Sequence, residues 1–215
     1  MNGGPTAHRS AHPRVGAIWA QDRDGVIGAD GRMLWRVPAD FRHFRAATLG
    51  CAVVMGRTTW DSIGGALDGR ASIVLTRRPG WAAEGARVAH DLRAGLTAAE
   101  AAVDALGQDP REGGYRALPR VWVIGGGSVY TQALEGELVD ELLVSVIDLD
   151  AGARAAETGA DPKRLVRAPA LDASQWSPGG PAADPPGQWR PVSGDAAWRV
   201  EHHRRKLCPS VRPAG

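Results

Sequence analysis

Apolar positions along the chain fall into short continuous runs bounded by turn-forming residues. The runs VGAIWA (15–20), AVVM (52–55), ASIVLT (71–76) and VWVI (121–124) are rich in β-branched residues. They have strand length and no polar alternation, so they read as strands buried on both faces. Residues 86–89 give a short further strand, 138–147 (LVDELLVSVI) another, and 198–206 (WRVEHHRRK) a final edge strand. Helical signals lie between them. Val37-Pro38 marks a helix start and Gly50 a stop, giving a helix over 38–49. The alanine-rich stretch 96–106 has helical spacing, and a helix begins near Ser128. GRTTW (56–60) reads as a tight turn feeding a short helix. The polar, glycine-rich stretch 107–119 reads as a surface insertion. Residues 151–164 look loosely structured, and the proline-rich 177–188 looks like a long loop.

Strands alternating with helices predict an α/β fold: a mostly parallel central sheet of about eight strands, flanked by helices. The closing strands lack a helix between them, so an antiparallel C-terminal strand is added. A single domain is expected over 15–206, behind a disordered leader (1–14) and ahead of a frayed tail (207–215). Ligands of such sheets bind at the strand carboxyl ends. The glycine loop after Ala20, the turn after Met55, the arginines after Thr76 and the glycines after Ile124 would all gather there.

Composition narrows the classes. Of 215 residues, 26 are lysine or arginine and 24 are acidic, a net charge of +2 with no block of like charge. That gives no footprint for nucleic acid. No apolar run reaches membrane-spanning length. Cys51 and Cys208 lie far apart, without metal-ligand or disulfide spacing, so no metal is expected and a reducing cytoplasm fits. The N-terminus lacks the apolar segment of a secretory signal.

Candidate chemistry centres on residues 24–44. Gly25, Gly28 and Gly31 make a mobile backbone tipped by Met33, and Asp40 follows in the first turn of the helix among Leu34, Trp35, Val37, Phe41 and Phe44. An acid at that position is commonly a solvated first-turn residue. A glycine loop beside a carboxylate walled in by apolar groups instead suggests a lid over a site. Gly125-Gly126-Gly127 after a strand offers bare N–H groups and a helix N-terminus to a phosphate, or else a plain turn. Arg57, Arg77 and Arg78 follow strands. Together they suit a doubly charged phosphate ester, hence NADPH over NADH; singly each is an ordinary solvated arginine. Arg70 could grip a carboxylate or close a turn.

The blocks VGAIWAQ, GVIG, the M-x-W-R-x-P-x-D stretch ending at Asp40, VVMGRTTWDSI, LDGR, IVLTRR and VIGGGSVY stand in order between about 15 and 148. Together the chain resembles the single-domain bacterial dihydrofolate reductases. The resemblance implies NADPH as cofactor, dihydrofolate as substrate, antifolates as plausible inhibitors and a monomer. It implies that Asp40 binds the pterin amino group and ring nitrogen, with Met33 and Trp35 completing the catalytic group. Ile18, Trp19, Phe41, Phe44, Thr59, Ile63, Leu67, Arg70, Ile124, Tyr130 and Ser145 would contact substrate, with Arg70 on the glutamate α-carboxylate. Trp19, Ala20, Ile27, Gly28, Gly56, Arg57, Thr58, Thr59, Leu75, Thr76, Arg77, Arg78, Ile124, Gly125, Gly126, Gly127, Ser128, Val129, Tyr130 and Gln132 would contact the cofactor. Gly125-Gly126 matches the family's cis pair, and about 51–106 would form the adenosine-binding half. Leu34 stands where proline is usual, 151–154 lacks the usual Gly-Asp-Thr turn that braces the lid, and the stretches 107–119 and 177–188 have no counterpart.

The reaction expected on this resemblance is hydride transfer from NADPH to C6 of 7,8-dihydrofolate with protonation at N5. Two alternatives stand beside it. One is the NADPH-dependent pyrimidine reductase of riboflavin synthesis, which has a related fold; the other is a nucleotide-binding protein without catalysis.

Overall fold

The computed structural model describes residues 14–206. The expected leader, apart from Arg14, and the expected tail at 207–215, Cys208 included, lie outside the described residues. The chain runs β1 (Val15–Gln21), β2 (Val26–Ala29), α1 (Pro38–Thr48), β3 (Ala52–Gly56), α2 (Arg57–Ile63), β4 (Ala71–Leu75) and β5 (Ala86–Ala89). It continues through α3 (Leu92–Ala105), β6 (Val121–Gly125), α4 (Gly127–Glu135), β7 (Glu141–Ile147) and α5 (Ala151–Thr158). The last elements are β8 (Leu165–Arg167), β9 (Trp176–Pro178), β10 (Arg190–Ser193) and β11 (Ala196–Arg205).

The main sheet has the order β10-β11-β7-β1-β6-β3-β4-β5, with β9 also paired to β11. Neighbours from β7 to β5 are parallel, and β11 joins β7, β9 and β10 antiparallel. The core strands are buried on both faces because each apolar run feeds two cores. Along β1, Ile18 packs into the cluster with Met55, Trp122 and Leu143, whereas Ala17 and Trp19 pack into the cluster with Val54, Leu96 and Ala133. No helix among the described residues is long and apolar enough to cross a membrane.

Five expectations are corrected. The strand read as a sheet edge is interior: β11 is covered by β7 on one side and by β9 and β10 on the other. The stretch read as loose after Ala151 forms α5, started by Asp150, whose carboxylate accepts from Ala153 N at 3.0 Å, and stopped by left-handed Gly159. Helix α3 begins at Leu92, because Asp91 caps it through Ala94 N at 2.8 Å, four residues before the alanine-rich pattern. The insertion at 107–119 is anchored: Arg111 is buried, pairs with Asp109 and donates to the carbonyls of Ala47, Leu118 and Pro119. The GRTTW segment needs no separate turn, since α2 starts at Arg57 directly after β3.

Candidate active site

A cleft of about 1680 Å³ opens at the carboxyl ends of β1, β3, β4 and β6. Asp40 reaches it from the first turn of α1. Pro38 starts that helix, and Val37 before it is extended (φ −120°, ψ 90°). Valine offers no side-chain cap, so the turn is held from far along the chain. Ala39 N donates to Ser193 Oγ at 3.0 Å, and Arg36 N to the Asp195 carboxylate at 2.7 Å.

Asp40 is 6% exposed. Burial pushes its carboxyl from the ordinary 3.8 up to about 6, against the opposing pull of the Ser145 hydroxyl and the Arg190 charge. At neutral pH it is therefore mostly an anion in an apolar wall. Also in the cleft lining, the Tyr130 hydroxyl donates to Ile18 O at 2.8 Å, and the Tyr130 ring lies 5.0 Å from that of Trp19. Burial raises the Tyr130 hydroxyl, which stays a neutral donor. The Ile18 carbonyl thus already has a donor.

At the outer end of the same trough, Phe44, Ile63 and Leu67 lead to Arg70. The Arg70 guanidinium donates to Thr48 Oγ1 and Asp68 O, both at 3.2 Å, and lies 5.8 Å from the Phe44 ring centre. Burial, then the nearby Arg45 charge, pulls Arg70 below its ordinary value, as expected where two cations share a site.

The other arm of the cleft carries the phosphate recipe. Gly125-Gly126 is a cis peptide. Helix α4 starts at Gly127 with no side-chain cap, leaving first-turn N–H groups to an anion. A Cβ on Gly127 would sit 2.8 Å from Val166 Cγ1, so only a bare backbone fits there. Arg57, Arg77 and Arg78 line the far end, with Thr76. Arg57 is paired with Asp61 at 2.6 Å; among the described residues Arg77 and Arg78 have no acidic partner. This donor set fits an adenosine phosphate and a pyrophosphate, and hence NADPH.

All the expected site residues line this one cleft except two. Trp35 is buried in the core with Leu34 and Val37, and its Nε1 lacks a hydrogen-bond partner among the described residues. Gly125 is covered by the Tyr130 ring, which a Cβ there would approach to 2.9 Å. Met33 is on the rim and 42% exposed. Residues missed in the sequence include Arg32, Arg45, His90 and Val166. Arg45 was within reach of helical spacing from Phe41. Val166 carries no local signal: it arrives because β8 pairs antiparallel with lid strand β2.

The lid is fastened more than its glycines suggested. Asp22, buried at its base, accepts from Asp24 N, Val26 N and Ala151 N at 2.8–2.9 Å. Arg164 pairs with Asp30, and the Arg154 guanidinium donates to Leu34 O. Helix α5 and β8 therefore brace the lid where the usual Gly-Asp-Thr turn is absent.

A family model described as dihydrofolate reductase matches residues 14–177. Dihydrofolate reductase of Mycobacterium tuberculosis (strain H37Rv) is 42% identical over 123 residues, 56% of this chain and 64% of that one. Dihydrofolate reductase type 3 of Salmonella typhimurium is 41% identical over 134 residues, 62% of this chain and 72% of the relative. The match to the mycobacterial relative thus spans less than two thirds of its length. A solved structure of dihydrofolate reductase from Enterococcus faecalis, complexed with NADP(H) and RAB-propyl, superposes with TM-score 0.64 at 28% identity. That superposition covers 90% of this chain and 97% of the other.

Proposed function

The chain belongs to the dihydrofolate reductase family, and from that premise we propose that it reduces 7,8-dihydrofolate to 5,6,7,8-tetrahydrofolate with NADPH. The observation that carries the proposal is a buried, mostly ionised carboxylate, Asp40, in the wall of a cleft whose other arm carries an uncapped helix N-terminus and two arginines, Arg77 and Arg78, without an acidic partner among the described residues.

NADPH when bound supplies a hydride from C4 to C6 of the pterin, and a proton goes to N5. Asp40 accepts hydrogen bonds from the amino group and ring N–H of the pterin and fixes the ring's orientation. Its negative charge raises the basicity of N5 across the conjugated ring. The proton reaches N5 through a water gated by Met33, since Asp40 serves the opposite edge. Phe44 and Ile63 pack on the pterin and benzoyl groups, and Arg70 takes the glutamate α-carboxylate. Gly126, Gly127 and Ser128 hold the pyrophosphate, and Arg57, Thr76, Arg77 and Arg78 the adenosine phosphate, with 51–106 as the adenosine-binding half. The braced lid excludes water and keeps donor and acceptor carbons together.

The riboflavin-pathway alternative has no use for a buried acid at Asp40, and no feature of the cleft favours it. The test is the absorbance loss of NADPH with dihydrofolate, with and without trimethoprim. Dihydrofolate-dependent, trimethoprim-sensitive oxidation is expected. NADPH binding without turnover would instead support the non-catalytic alternative.

A further inference from the structure

The two inserts, 107–119 and 177–188, meet behind α1 rather than in the cleft. Asp40 and His43 lie one turn apart on the buried side of that helix. From the first insert, the Tyr115 hydroxyl lies 2.7 Å from His43 Nδ1. From the second comes Asp184, which accepts from Arg190 Nε at both carboxylate oxygens (3.0 and 2.8 Å). Asp184 also accepts from Val200 N at 2.8 Å, and Val200 faces Ser145 across the β11–β7 ladder. Ser145 is the hydroxyl beside Asp40.

Arg190 thus sits in a fixed place. It lies 4.4 Å over the ring of Trp198, its partner across β10–β11, and that ring lies 5.8 Å from the ring of His43. Three residues on, Ser193 holds the first turn of α1 through Ala39 N. Trp198, His43 and Asp40 are all buried, so these side chains exclude water around the carboxylate and charge is poorly screened there.

We propose that Arg190 is a positioning residue for catalysis: anchored by Asp184 and Trp198 behind α1, its guanidinium keeps Asp40 in the anionic form that reads the pterin edge. The proposal deepens, and rests on, the assignment of Asp40 above.

Two groups facing Asp40 favour its anion: the Ser145 hydroxyl, through a hydrogen bond, and Arg190, which supplies the positive charge. Ser145, from β7, is neutral. His43, from α1 itself, is pushed down to about 4 by burial and then by Arg190, so it is uncharged at working pH. Tyr115 is raised by burial and is likewise neutral. Asp184 is the opposing charge: it moderates Arg190 while holding it in place.

The test is a carbon-13 NMR titration of the Asp40 carboxyl in the free, full-length protein, with the signal assigned by its loss in Asp40→Asn. The wild-type midpoint is expected near 6. Arg190→Gln should raise it by roughly one pH unit, the effect of one charge two side chains away. Arg190→Lys should restore it. An unmoved midpoint in Arg190→Gln overturns the proposal, as does Arg190→Lys shifting as far as Arg190→Gln. If Arg190→Gln does not fold, Arg190→Met, which removes the same charge and keeps an apolar stem over Trp198, decides, and an unmoved midpoint there is equally fatal. The titration uses no substrate or cofactor, so a failure to reduce dihydrofolate would sink the proposed reaction and leave this coupling measurable.

Discussion

Replacing Asp40 by asparagine should make the protein more stable and less active together, and pH separates the two effects. In an unfolded chain the carboxyl ionises at its ordinary 3.8; in the fold burial holds it at about 6. Below 3.8 both states are protonated and nothing is lost. Between the two values the unfolded chain ionises first, so folding is progressively disfavoured, and above 6 the penalty is constant. At about 1.36 kcal/mol per pH unit, the gap corresponds to about 3 kcal/mol at pH 7. Asparagine never ionises and escapes that cost, in which the Ser145 bond is already included. A gain of about 3 kcal/mol, or roughly 6–12 °C in Tm for a chain of this size, is therefore expected at pH 7, nearly vanishing near pH 4. Hydride transfer should move the other way. Two charge-assisted bonds to the pterin edge, each worth about 1.5–3 kcal/mol, imply a loss of roughly a hundredfold to ten-thousandfold at pH 7. Acid should restore part of it, because the substrate then arrives protonated. Thermal unfolding at pH 4 and pH 7 checks the first half, and single-turnover kinetics the second. A stability gain equal at both pH values would refute burial as the cause, and wild-type turnover at pH 7 would refute the role.

Arg70→Leu should weaken folate and methotrexate-type ligands about tenfold to a hundredfold while barely touching ligands without a glutamate tail. Equal weakening of both in equilibrium titrations would make Arg70 structural, through Thr48 and Asp68 O. Arg111→Met should cost roughly 3–5 kcal/mol in urea unfolding, because Asp109 and three carbonyls lose their donor. Its turnover per folded molecule should stay at the wild-type value. Asp22→Ala should cost roughly 3 kcal/mol by stranding the N–H groups of Asp24, Val26 and Ala151. By loosening the lid it should also raise the Kd for NADPH several-fold, whereas Asp22→Asn, which retains an acceptor, should do less of both.

Local signals determined what the chain settles by itself. A parallel strand covered on both faces must be apolar at successive positions, so β1, β3, β4 and β6 announced themselves, as did α1 between Pro38 and Gly50. The glycines and arginines of the cleft stand directly after those strands, and their shared rim followed from the direction of the sheet. What the sequence left open was decided by contacts over long separations, to which periodicity is blind. Whether Asp40 faced water or a wall depended on Ser145, and on Arg190 and Ser193 about 150 residues away. Helix α5 read as loose text because its buried face is only Ala151 and Ala155, too small for an apolar stripe; packing against the lid gave it a reason to form. The inserts read as surface because arginine, aspartate and tyrosine ordinarily face water. Arg111 is buried with its ion-pair partner Asp109 close by in sequence but the Ala47 carbonyl brought to it by the fold, and Tyr115, Asp184 and Arg190 meet only when the β10–β11 hairpin closes on α1. A charged side chain states its cost in the sequence; the groups that offset it exist only once the chain has folded.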